Sequence, residues 1–94
     1  MKGFRWNHEK NIKLKKERGI SFDDILFYIQ QGNLLTTIRN PNPAKYENQL
    51  IFIVNINNYA YAVPFIETES EIFLKTIFPS RKYTKKFLED NNEI

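Results

Sequence analysis

Apolar and polar residues alternate and cluster along this chain in a way that assigns most of its elements. Phe4-Arg5-Trp6 alternates apolar with polar, the period of a short strand. Asn7 suits a helix N-cap, and from His8 to Arg18 charges recur almost without a break. Ile12 and Leu14 are nearly the only apolar positions there, so this helix buries a thin stripe. Gly19 stops it in the place a C′ glycine prefers. Ser21 then caps a second helix, with Asp23 and Asp24 complementing its dipole. Phe22, Ile25, Leu26 and Ile29 fall at i, i+3, i+4 and i+7, one face for packing on a sheet, and Gly32 closes the turn.

Residues 34–39 are β-prone, and Asn40-Pro41-Asn42-Pro43 is loop by composition. That loop carries Lys45 and Tyr46 toward a strand beginning near Gln49. Residues 50–56 are nearly all apolar and β-branched, which predicts a central strand covered on both faces. Asn57-Asn58 fits a tight hairpin, because asparagine tolerates positive φ. The return strand, 59–66, contains Pro64, which has no amide for a ladder and predicts a bulge or a free edge nearby. Residues 67–70 make a polar turn, 71–78 the last strand, and about Arg81 to Asp90 a closing helix. The sum is an α+β fold: a short N-terminal strand, two helices, a four-stranded antiparallel meander and a short C-terminal helix. The helices are expected on one face of the sheet. The expected core comprises Phe22, Ile25, Leu26 and Ile29 from the second helix, with Phe52, Val54, Ile56, Phe65, Phe73 and Ile77 from the strands.

The 94 residues make a single domain, 1–94, large enough for one core. With 41% hydrophobic and 15% aromatic residues, disorder is not the default. A net charge of +3 leans only mildly toward an anionic partner; the clustering of cations at 10–18 and 75–86 says more. Cysteine is missing, which rules out disulfides and thiolate metal sites, and His8 alone makes no zinc site. No apolar run approaches the roughly 20 residues of a membrane span. The first residues lack the apolar core of a secretory signal. A cytoplasmic protein without cofactor, metal or membrane partner is the expectation.

The densest chemistry sits where the last strand ends, in Lys75-Thr76-Ile77-Phe78-Pro79-Ser80-Arg81-Lys82-Tyr83-Thr84-Lys85-Lys86. A strand fixes the direction of its final side chains, and a helix starting at Ser80 presents its first amides to an anion. Lys75, Arg81, Lys82, Lys85 and Lys86 are expected to converge on one phosphate-bearing surface, with Tyr83 interleaved. Such a surface holds RNA, or stabilises a charged phosphorane in a ribonuclease that uses no metal. Arg81 is the first choice for the phosphate oxygens, since its planar fork matches them. Lys75, Lys82 and Lys85 supplement it, and any of these lysines would serve as acid or base. Lys82, Lys85 and Lys86 equally fit a solvated helix face. Lys45, Tyr46, Tyr83 and Lys86 are expected RNA contacts; Tyr59 and Tyr61 share a strand face, so at least one belongs to the core.

The pattern Phe4-x-Trp6-Asn7-x-x-Lys10, followed by Arg18-Gly19-Ile20-Ser21-Phe22-Asp23-Asp24, resembles the opening of BrnT-type toxins. Ser80-Arg81-Lys82-Tyr83-Thr84 resembles the same family's segment after its last strand. The resemblance implies a RelE-like fold and a metal-independent endoribonuclease that cleaves RNA and inhibits growth. It also implies the toxin half of a type II toxin–antitoxin pair, neutralised by a cognate antitoxin. Arg81 becomes the anchor, with Lys82 and Thr84 as companions, and Lys10 is brought toward the same groove, so that Thr84 and Lys10 join the expected RNA contacts. Phe87 stands where a glutamate usually follows in the final helix, which leaves the general acid and base unassigned. The alternative on the same residues is a non-catalytic nucleic-acid-binding or antitoxin-binding module of that fold.

Overall fold

In the computed structural model, which describes residues 2–42, 44–45 and 49–89, each helix starts on the cap its sequence supplies. β1 (Gly3–Trp6) ends at Asn7, whose Oδ1 accepts the Lys10 amide at 2.8 Å and opens α1 (His8–Arg18). Gly19 stops α1 at φ 73°, a left-handed value that glycine adopts without strain. Leu14 is the buried residue of α1, while Ile12 stays 54% exposed, so the apolar stripe is as thin as expected. α2 (Phe22–Gln30) opens on a closed capping box between Ser21 and Asp24. Phe22 and Ile25 are buried, with Leu26 and Ile29 half-buried beside them. Asn11 stitches the two helices together, its Oδ1 accepting the Phe22 amide at 2.7 Å. Burial raises the Asp24 carboxyl in this corner, but hydrogen bonds from Lys15 and from the Ser21 amide and side chain outweigh it, leaving the group below its ordinary value.

Among the described residues six strands form one mixed sheet in the order β1-β5-β4-β3-β2, with β6 beside β4. β2 (Leu34–Arg39), β3 (Gln49–Ile56), β4 (Tyr59–Glu67) and β5 (Glu71–Leu74) are the expected antiparallel meander. Asn57 and Asn58 make its tight turn at φ 55° and 66°. β1 pairs parallel with β5, from Gly3 opposite Glu71 to Trp6 opposite Leu74.

The last strand does not run unbroken over 71–78. β5 stops at Leu74, and a two-residue β6 (Phe78–Pro79) resumes against β4. The cause lies in the neighbouring strand. Phe65 pairs with Leu74 and Ala62 with Phe78, so Val63 and Pro64 face residues 75–77 and the ladder gains one residue. Pro64 O accepts the Lys75 amide at 2.8 Å, but proline has no amide to return. The extra residue lets Leu74 and Ile77, three apart, be buried on the same side. Arg18 fastens the bulge, Nη1 donating to Ile77 O at 2.6 Å.

β3 is covered on both sides, as its composition predicts. Phe52, Val54 and Ile56 pack with Leu14, Phe22 and Ile25 under α1 and α2. Ile51 and Ile53 point the other way, joined by Ala60 and Ala62. Their cover is the closing helix, α3 (Arg81–Thr84), which widens into a π-helical turn (Lys85–Glu89). The expectation that all helices share one face is therefore corrected: a strand apolar on both sides needs cover on both. Asp90, the expected end of this helix, lies outside the described residues. Among the described residues no helix is long and apolar enough to cross a membrane.

Candidate nucleic-acid interface

The closing helix covers only part of the second face. Helical spacing turns Tyr83, Thr84, Phe87 and Leu88 toward the sheet and Arg81, Lys82, Lys85 and Lys86 away from it. Alongside the helix lies a hollow of about 570 Å³ over Ile51 and Pro64, bordered by Phe78 and Tyr83. Asn40, Gln49, Thr76 and Ser80 supply its neutral polar groups. Lys10 reaches it from α1, Lys75 from the bulge and Lys82 from α3. Among the described residues no carboxylate or imidazole lines it, so its three cations meet no anionic group within the lining, although Lys82 Nζ lies 5.6 Å from the Tyr83 ring centroid. A second groove of about 580 Å³ adjoins it and shares Lys10 and Lys75. That groove adds Asn7, Glu9, Lys13 and Phe73.

Four of the predicted site residues, Lys10, Lys75, Lys82 and Tyr83, thus meet at one hollow. The expected convergence of five cations from the junction is corrected. Arg81 and Lys85, one helical turn apart, are exposed and outside the lining. Lys86 is exposed as well, its Nζ 5.4 Å from the Phe87 ring centroid. Once Tyr83, Thr84, Phe87 and Leu88 face the sheet, only one flank of the helix borders the hollow, and Lys82 lies on it. Lys45 sits in an exposed turn, its amide donating to Asn42 O at 3.2 Å, outside that lining. Tyr46 lies outside the described residues.

Tyr83 and Thr84 have tasks other than the expected RNA contacts. Tyr83 is 8% exposed, packed with Ile51, Ile53 and the two alanines, and so offers no open face to a base. Thr84 is buried; its Oγ1 accepts the Ala60 amide at 2.8 Å and donates to Ser80 O at 2.7 Å. It completes β4 where β6 has ended, a satisfied buried donor rather than a free one. The anion site expected at the helix start is corrected too. Ser80 Oγ already accepts the Tyr83 amide, and α3 is four residues long before it widens. Phe87 is half-buried against the same core, so an apolar residue fits that position.

Three residues that border these grooves were not expected at the site from the sequence. Phe73, expected in the core, is half-buried and lines the second groove, with Lys75 Nζ 5.5 Å from its ring centroid. Phe78 is 36% exposed at the rim of the first. Gln49 is buried, its Oε1 accepting from Asn40 Nδ2 at 2.6 Å. A polar side chain in phase with Ile51 and Ile53 was the signal available for Gln49. No family model, curated protein or solved structure matches the chain.

Proposed function

We propose that this chain is a RelE-like, BrnT-type toxin that binds RNA in the lysine-lined hollow and cleaves it without a metal ion. It acts in the cytoplasm until a cognate antitoxin neutralises it. One observation carries the reading: Lys10, Lys75 and Lys82, from α1, the bulge and α3, border one hollow with no carboxylate among its described lining. The order of elements and the two-ended sequence resemblance support the fold family.

A phosphate seated among these lysines has its charge met by charge-assisted hydrogen bonds, which strengthen as the phosphorane forms. Glu9, in the adjoining groove, is the carboxylate available to take the proton from the 2′-hydroxyl. The 2′-oxygen attacks phosphorus, the bond to the 5′-oxygen breaks, and a lysine ammonium protonates that leaving oxygen. The products are a 2′,3′-cyclic phosphate and a 5′-hydroxyl end. Arg81 precedes Lys82 in the same exposed turn and adds to the positive field. The test is cleavage of total RNA by the purified protein in excess EDTA, with the new ends identified chemically. Intact RNA, together with expression that leaves growth unchanged, overturns the reading.

A second reading, RNA binding without cleavage, is favoured by the hollow itself, whose described lining carries neither carboxylate nor imidazole. Glu9→Gln separates the two. In an enzyme it lowers turnover and leaves affinity intact; in a binder it changes neither.

A further inference from the structure

The two grooves meet along a ridge made by Lys10 and Lys75, and each has a partly exposed phenylalanine on its own side of that ridge. Phe73 borders the groove beside α1, and Phe78 borders the hollow beside α3. The two rings flank the bulge: Phe73 is the penultimate residue of β5 and Phe78 the first of β6. We propose that the site takes single-stranded RNA, with a backbone phosphate on the Lys10–Lys75 ridge and consecutive bases stacked on Phe73 and Phe78. This inference rests on the RNA reading above and adds the form of nucleic acid and the residues that select it.

The physical argument has three parts. A duplex shows base edges and hides base faces, whereas an exposed aromatic ring gains from a base face. A cationic ridge between two rings matches the alternation of phosphate and base along a single strand. Lys75 also links the two kinds of contact. Its Nζ lies over the Phe73 ring, and a phosphate on the ridge draws that cation away and opens the ring face to a base. Phosphate binding and stacking then favour each other. Neither ring is needed to seal the core, since neither belongs to the two buried clusters.

The experiment uses a fluorescent oligoribonucleotide of about ten residues with 2′-O-methyl groups, which binds but cannot be cleaved by 2′-oxygen attack. Its affinity is measured by anisotropy as a single strand and as a duplex, at one salt concentration. The single strand is expected to bind at least ~10-fold more tightly. Phe73→Leu and Phe78→Leu keep apolar volume and remove the ring face; each is expected to weaken the single strand by about 5-fold to 100-fold and leave duplex binding unchanged. Thermal unfolding confirms that each variant is folded. If Lys75→Ala weakens binding but both leucine variants bind like the parent, the stacking proposal is overturned and the RNA reading stands. Equal affinity for strand and duplex overturns it in the same way. If neither form binds, the RNA reading falls and takes this inference with it.

Discussion

On one side of β3 and β4 stand Phe52, Val54, Val63 and Phe65; on the other, from the same two strands, stand Ile51, Ile53, Ala60 and Ala62. The first side is built from large groups, with the Phe52 and Phe65 rings stacked at 3.9 Å between centroids. It is closed by two helices. The second side is a shelf of small and medium groups under one short helix, and next to that helix the sheet stays open. The difference shows how a domain of this size divides its surface: large side chains on one face secure the fold, so the other is free to hold charge around a hollow.

Four substitutions test that division, from the largest effect to the smallest. Phe65→Ala on the closed face is expected to cost about 3–5 kcal/mol in urea unfolding, through lost burial and a cavity against Phe52. Thr84→Val on the other face keeps shape but orphans the buried Ala60 amide, for an expected loss of about 1–3 kcal/mol. A smaller loss than that would mean the closing helix adds little to the fold. Lys75→Ala should leave stability within about 0.5 kcal/mol, because the side chain is exposed. It should nevertheless weaken RNA binding and reduce the slope of log affinity against log salt by about 1. A stability loss matching that of Phe65→Ala would erase the distinction between the faces.

The smallest effect belongs to the corner behind the closed face. The Asp24 carboxyl lies below its ordinary value of 3.8, so its contribution is complete above that pH and disappears as pH falls through the lower folded value. Asp24→Asn should therefore be slightly less stable than the parent near neutrality and should converge with it under strong acid. Melting temperatures from neutral pH downward check this. Two parallel curves would show that Lys15 and Ser21 do not hold the ionised form.

Local chemistry made much of this fold readable. Asn7, Gly19, Ser21 and the Asn57-Asn58 pair each fix a boundary through their own hydrogen bonds or dihedrals, and the structure follows them. Features set by a distant partner were hidden. Pro64 signalled a bulge or a free edge nearby but not its place; the break falls across the ladder after Leu74, inside the apolar run 71–78 that reads as one strand. Phe73 looks like core by composition, yet it is half-buried, outside both buried clusters and in the lining of the second groove. Lys10 and Lys75 are far apart in sequence; the family resemblance brought Lys10 toward the groove, but spacing alone could not, and the fold makes them neighbours at the hollow. The cation cluster at the junction was legible, but which of its members border that hollow was not. Knowing that requires the facing of α3, and hence the burial of Tyr83, Thr84 and Phe87.

The parallel pairing of β1 with β5 also sets a timetable. Gly3–Trp6 leaves the ribosome long before its partners, residues 71–74, so it waits unpaired while the residues between them are made. α1 follows directly on β1 and carries Lys10, which makes the ridge a late event as well. A nascent chain stopped in the β3–β4 hairpin has neither the docked first strand nor Lys75 and Lys82. The proposed RNA site is thus absent until translation has passed the closing helix, and its assembly coincides with the completion of the sheet.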